Sequence, residues 1–261
     1  MENLVDLHNH TIRCNHAEGT MIEYATKAHL QGVKYYGFSD HAPMEYEPEY
    51  RMHIREMKDY EAHLRVLKSE FKDKMQILSA YEVDWLPGYL EKSVLDADVD
   101  YLIGSVHFIG DWGFDNPEFL KMYSKVDPDA TWREYFRLIA EMANSGHFNV
   151  VGHMDLLKCY NFLPITKVTE LAKPAMEAIA NAGMAIELNA SGLRKPIKEI
   201  YPCSNLLSLA KSFDIKVTLS SDAHSPEHVG FGRQETIEAA KSAGFDEVVI
   251  FEQKKPKLLK I

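Results

Sequence analysis

Apolar positions along the chain fall into short, often β-branched runs that alternate with longer stretches of helical period. The first run, Leu4-Val5-Asp6-Leu7, leads straight into His8-Asn9-His10. Thr20 and Glu23 have capping-box spacing, which predicts a helix ending near Gly32, and Tyr35 to Ser39 then reads as a short buried strand. A more polar helix is predicted from about Arg51 to Lys72, followed by the apolar run Met75 to Tyr81. Tyr101 to Ser105 reads as a strand, the pattern Thr131-Trp132-Arg133-Glu134 as the start of a helix, and Phe148 to Val151 as the next strand. A helix from Thr169 to Ala182 closed by Gly183, a strand from Ala185 to Asn189 and a helix from Asn205 to Ser212 come next. The last units are a strand from Ile215 to Ser220, a helix from Gln234 to Ala243 closed by Gly244, and a strand from Glu247 to Phe251.

Such alternation predicts a parallel sheet covered by helices. The positions of the polar residues favour a closed sheet over an open one. His8, His10, His41, His107, His153 and His224, with Asp40, Glu82 and Asp222, sit at or just after strand runs. An open sheet gathers its ligands at one crevice, whereas side chains from this many strand ends converge only around a barrel mouth. The expected architecture is α/β, a single-domain barrel over residues 1–261 with a metal site at the C-terminal ends of its strands. The length of 261 residues suits one such barrel, and no internal repeat, low-complexity tract or linker interrupts it. Lys254-Lys255-Pro256-Lys257 reads as a solvated terminus.

The candidate chemistry follows from the same positions. Residues two apart on a strand share a face, so His8 and His10 can meet one cation. Imidazoles and carboxylates together suit borderline divalent metals, and a metallohydrolase is the reading that follows. Gly-x-Ser-x-Gly and P-loop patterns are absent, which removes the commonest covalent and nucleotide-cradling alternatives. His29, His53, His63 and His147 lie in helical patterns or at helix ends and read as solvent-facing or capping residues. Cys14 reads as a plain buried thiol, and Asp84 and Asp155 as surface residues or supports behind ligands.

Composition narrows the partners. The formal net charge of -10 opposes non-specific binding to nucleic acid or an anionic membrane. Bound cations would still make one pocket locally positive, so a small anionic substrate remains compatible. The three cysteines form no paired motif, which fits a reducing compartment. Neither a signal segment nor an apolar run of membrane-spanning length is present, and the expectation is a soluble cytoplasmic protein.

His8-x-His10, His16, Ser39-Asp40-His41, Glu82, His107, Gly152-His153 and Ser221-Asp222-Ala223-His224 together resemble the successive motifs of the PHP (polymerase and histidinol phosphatase) superfamily. Ser39-Asp40-His41-Ala42-Pro43-Met44 and the overall size resemble its histidinol-phosphate phosphatase branch. The resemblance implies a distorted (β/α)7 barrel with three divalent metal ions, for which Zn, Mn and Fe are all suitable. It implies that His8, His10, Glu82 and Asp222 hold the first metal. Glu82 then bridges to a second held by His107 and His153, and His16, His41 and His224 hold the third. Asp40 would orient a ligand from behind. Glu82, Asp222 and His224 would stand at the reacting centre.

Arg194 and Lys158 would contact phosphate, although an arginine would be more usual at the Lys158 position and a lysine offers only a point charge. His228 and Arg233 are further candidates at the mouth. The implied reaction is hydrolysis of L-histidinol phosphate to L-histidinol and phosphate, in histidine biosynthesis. The alternative is a phosphoesterase of the same superfamily acting on nucleotides or another small phosphate ester. An amidohydrolase-type barrel is disfavoured by Glu82 and the third ligand set, and an inert metal-binding module by the absence of any lost ligand position.

Overall fold

The computed structural model of the protein describes residues 5–261. Leu4, which belongs to the first predicted run, lies outside the described residues. Seven parallel strands form one sheet, in the order β1 (Val5–Asp6), β2 (Tyr35–His41), β3 (Gln76–Asp84), β4 (Tyr101–Ser105), β7 (Val150–Val151), β8 (Ala185–Asn189) and β9 (Lys216–Ser220). Between β4 and β7 a small antiparallel hairpin, β5 (Phe108–Ile109) and β6 (Trp112–Gly113), stands apart from this sheet. The sheet curls nearly closed. Leu7 N donates to Leu219 O at 3.0 Å, and Asn9 bridges Ala223 in parallel register. Asp6 pins the seam, accepting from Ser221 N at 2.9 Å and Ser221 Oγ at 2.7 Å.

Close approaches inside the barrel explain two glycines. A Cβ on Gly37 would lie 1.8 Å from the Tyr101 hydroxyl, which crosses the interior to the Leu7 carbonyl. A Cβ on Gly152 would lie 2.2 Å from Ser105 Oγ, the hydroxyl that donates to Glu82 at 2.6 Å. Either position therefore requires a residue without a side chain.

The covering helices are α1 (Met21–Leu30), α2 (Met57–Phe71), the single turn α3 (Lys92–Leu95), α4 (Pro128–Asn144), α5 (Val168–Ala182), α6 (Ser204–Ser212) and α7 (Arg233–Ser242). At α1 the expected capping box forms, with Thr20 N donating to Glu23 Oε2 at 2.6 Å. At α4 it does not. Asp127 caps that helix by accepting from Ala130 N at 2.7 Å, Pro128 takes the first turn, and Thr131 already lies inside, its hydroxyl turned back to Asp127 O. The helix expected from Arg51 begins at Met57, because Arg51 is extended and His53 caps a short 3-10 turn over Ile54–Glu56.

The C-terminus departs furthest from expectation. β10 (Glu247–Glu252) is no member of the barrel sheet but pairs antiparallel with β11 (Lys255–Lys260). The expected solvated tail is thus a strand, though its lysines do face solvent. Gln253 and Lys254 both take positive φ, 51° and 63°, as a two-residue primed turn requires. No Asn-Gly or Asp-Gly pair announces that turn. Among the described residues no helix is long and apolar enough to cross a membrane.

Candidate active site

Strand ends bring the candidate ligands to one mouth, which opens on a cavity of about 530 Å³. His8 and His10 follow β1, His41 ends β2, Glu82 and Asp84 close β3, His107 follows β4, His153 follows β7, and Asp222 and His224 follow β9. His16 arrives from the loop after a short 3-10 turn that Thr11 caps. Asp222 is held at φ 53°, a left-handed conformation that an aspartate tolerates better than most residues.

Glu82 divides its two oxygens among the histidines. Its Oε2 lies 3.3 Å from His8 Nε2, 3.7 Å from His10 Nε2 and 3.0 Å from His41 Nδ1. Its Oε1 lies 3.0 Å from His153 Nε2 and 3.7 Å from His107 Nε2. The Nε2 atoms of His107 and His153 are 3.1 Å apart, and so are those of His16 and His224. Asp222 Oδ1 lies 3.2 Å from His10 Nε2. His8, His10 and Glu82; Glu82, His107 and His153; and His16, His41 and His224 are each close enough to share one cation.

The donor set fits metal ions on a direct observation. His8 Nε2, His10 Nε2 and Asp222 Oδ1 are buried and have no hydrogen-bond partner, although His8 Nε2 lies 3.3 Å from Glu82 Oε2 and His10 Nε2 lies 3.2 Å from Asp222 Oδ1. Orphaned buried polar atoms are costly, and a cation at their focus satisfies all of them at once. Imidazole nitrogen with carboxylate oxygen is the donor chemistry of zinc, manganese or iron.

Electrostatics divides the histidines. Burial opposes charge on His8, yet Glu187, Glu82 and Asp222 outweigh it and raise its pKa well above the usual value. His107, likewise buried, is raised to about 10 by Asp84 and Glu82. His41 and His224 go the other way: burial and the neighbouring charge of His10 hold both well below the usual value. Burial would raise the Glu82 and Asp222 carboxyls, but the surrounding histidines keep both well below the usual carboxylate range.

Residues behind this layer aim it. Asp40 accepts from the Thr11 hydroxyl and lies 3.6 Å from His10 Nδ1. Asp84 lines the cavity, accepts from His107 Nδ1 and pairs with Arg51. Arg194 reaches the cavity wall and donates to Ser221 O at 3.0 Å and Asp222 O at 2.7 Å, and His228 lines the same wall.

Two sequence expectations need correction. Lys158 is buried and does not line the cavity; its ammonium pairs with Asp155 at 2.9 Å and Glu199 at 2.7 Å, because a buried lysine needs a countercharge close by. Arg233 is also absent from the cavity wall. It opens α7 beside Phe231 and Thr236, on the outer side of the β1 and β9 seam.

Sequence reasoning missed Glu187, Arg51, Glu47 and Asp115. Glu187 is fully buried in β8 beneath His8 and His153. Its signal was an acid in the middle of the apolar run Ala185-Ile186-Glu187-Leu188. Arg51, Glu47 and Asp115 line the cavity from loops that carry no periodic signal.

Residues 6–191 match the PHP domain family. The chain belongs to this family. A PHP relative named "Probable histidinol-phosphatase", from Deinococcus radiodurans, is 37% identical over 94% of this chain and 95% of its own length. A Bacillus subtilis histidinol-phosphatase is 27% identical over 89% of this chain and 98% of its own. The solved structure of histidinol phosphate phosphatase from Lactococcus lactis, complexed with zinc, L-histidinol and phosphate, superposes with a TM-score of 0.80 at 23% identity. It covers 98% of this chain and 99% of that one, and the PHP barrel is common to both.

Proposed function

We propose that this chain is a metal-dependent phosphomonoesterase that hydrolyses L-histidinol phosphate to L-histidinol and inorganic phosphate. The observation that carries the reading is the Glu82 carboxylate, whose two oxygens face different histidine groups inside one cavity while neighbouring ligand atoms stay orphaned. The likeness to histidinol-phosphatases over most of both chains supports the substrate. His8, His10, Glu82 and Asp222 hold one divalent cation, Glu82, His107 and His153 a second, and His16, His41 and His224 a third. Bound there, such cations neutralise phosphoryl charge and acidify water at neutral pH.

The side chains supply the rest. Arg194, buttressed on the Ser221 and Asp222 carbonyls, presents its guanidinium to the phosphate from the wall it shares with His228. Asp222, ionised among its histidines, would hold its cation through Oδ1 while Oδ2 accepts from Asn189 Nδ2; the attacking water supplies the new P–O bond and its proton passes to the leaving alkoxide as the old P–O bond breaks. Glu82 and His224 hold the reacting centre in register with it. Glu47 and Asp115 are acids of the cavity wall, so they receive the ammonium and imidazole of the substrate. The partner is thus a small phosphate ester and not a nucleic acid, in a cytoplasmic enzyme.

Steady-state rates on L-histidinol phosphate, p-nitrophenyl phosphate and its bis ester test this reading. The expected order of kcat/KM places histidinol phosphate far ahead of the simple monoester and the bis ester last. A bis ester turned over as fast as histidinol phosphate would instead mark a phosphodiesterase.

A further inference from the structure

Glu187 sits behind the candidate ligands with no exposed surface, and three of its four polar partners, His8, His153 and Asn189, are candidate ligands or bond to one. Its Oε2 accepts from His8 Nδ1 at 2.9 Å and from Ser220 Oγ at 2.8 Å. Its Oε1 accepts from the backbone N–H of His153 at 2.7 Å and from Asn189 Nδ2 at 2.9 Å. Asn189 Nδ2 also donates to Asp222 Oδ2 at 3.0 Å, which leaves Asp222 Oδ1 free to face the centre. One carboxylate therefore governs three ligands that arrive from three different strands.

Each arm has a separate effect. The bond at His8 Nδ1 fixes the tautomer in which Nε2 carries its lone pair inward. The bond to His153 N sets where the chain turns after β7, and hence where that imidazole stands. Among the described residues no lysine or arginine pairs with Glu187, and His8 is its only ion-pair partner. A buried anion needs a countercharge, and for Glu187 it comes through His8 or the cations that His8 would hold.

We propose that Glu187 is a positioning residue that loads two adjacent cation sites together, the one at His8, His10 and Asp222 and the one at His107 and His153. This rests on the metal-centre reading given above. The Glu187→Gln variant keeps the shape of the side chain but removes its charge. Its amide nitrogen accepts no hydrogen bond, so either the His8 and Ser220 donors or the His153 and Asn189 donors lose their acceptor.

The test titrates metal-loaded protein with a chelator, follows metal content by elemental analysis, and records the melting temperature of the stripped protein. In Glu187→Gln, affinity at both sites should fall about 10- to 100-fold, beyond any loss of stability read from the melting temperature of the stripped variant. The downfield Nδ1 proton resonance of His8 should be lost, and Glu187→Asp, which restores the charge at shorter reach, should recover part of the affinity. Cation affinity unchanged within about twofold, with only the melting temperature lowered, would reduce Glu187 to a structural residue.

If Glu187→Gln does not fold, Asn189→Ala removes the link to Asp222, and with it the cap on Ser191 N, while the Glu187 bonds to His8 and His153 stay in place. It should weaken the cation at His8, His10 and Asp222 and spare the one at His107 and His153, whereas equal affinities at both would overturn the proposal. Failure of the underlying reading looks different, since the parent protein would then hold no tightly bound cation at all.

Discussion

The Nε2 atoms of His107 and His153 face each other across 3.1 Å. His107 Nδ1 donates to Asp84, which turns the Nε2 of that ring toward the cavity, and Glu82 Oε1 stands 3.0 Å from the Nε2 of His153. Two nitrogens and an oxygen in this relation describe a place for a cation.

Protein purified without chelator should therefore carry more than one divalent metal per chain, measured by elemental analysis. Stripping the metal should abolish turnover, and restoring zinc or manganese should return it. Full activity in metal-free protein would remove the mechanism. Metal at about 100 times its dissociation constant should also raise stability by about 2.7 kcal/mol, read from the shift in melting.

Metal binding should release protons. His8 and His107 are raised in the cation-free chain, the latter to about 10, so each keeps a proton at neutral pH that an incoming cation must displace. Affinity should rise with pH across the neutral range and weaken as pH falls. His41 and His224 are already lowered, so filling their group should release fewer protons. For the cation-free fold itself the sign is opposite: a raised histidine stabilises below its unfolded value of 6.5, and for His107 that contribution is lost as pH rises toward about 10. Calorimetry in buffers of different ionisation enthalpy measures the proton count, and an affinity independent of pH would contradict it.

Glu82→Ala should reduce metal content at more than one site and abolish turnover, since the two oxygens of Glu82 serve separate groups. Arg194→Ala should raise KM for phosphate esters. Its guanidinium also anchors the carbonyls of Ser221 and Asp222, so some metal held by Asp222 should be lost too. Unchanged kinetics in Arg194→Ala would take that residue out of the site.

Asp115→Asn should raise KM for histidinol phosphate by about tenfold, the worth of one hydrogen bond to a charged group. The KM for p-nitrophenyl phosphate should stay as it was. Parallel losses on both substrates would mean that Asp115 shapes the cavity without recognising the amine or imidazole.

Lys158→Met should act on stability and not on substrate. It leaves the Asp155 carboxylate buried with its ammonium partner gone, a loss of about 3–5 kcal/mol for a broken buried pair. Denaturant unfolding measures it, and a raised KM with unaltered stability would put Lys158 back beside the phosphate.

Much of the site was legible because its ligands are tied to strand ends. A periodic apolar run fixes where a strand lies, and the residues after it must emerge at one rim, as His8, His10, His41, His107, His153 and Asp222 do. Glu187 was legible in principle, as an acid within an apolar strand, but its role depends on a proton donated from His8, 179 residues away in the chain. Lys158 shows the limit of local reading. Its sequence position, just after His153, suits the mouth, yet Asp155 and Glu199 draw its ammonium into the protein.

The sequence by itself determined the alternation of strand and helix, the capping box of α1, and the ligand types gathered at the strand ends, because each depends on residues close together in the chain. Tertiary structure alone decided that β1 meets β9 across Leu7 and Leu219, that Glu82 splits its oxygens between two groups, and that the last two strands pair outside the barrel. Those outcomes depend on which side chain finds its countercharge or its hydrogen-bond partner across long stretches of chain. Local periodicity carries no information about that choice.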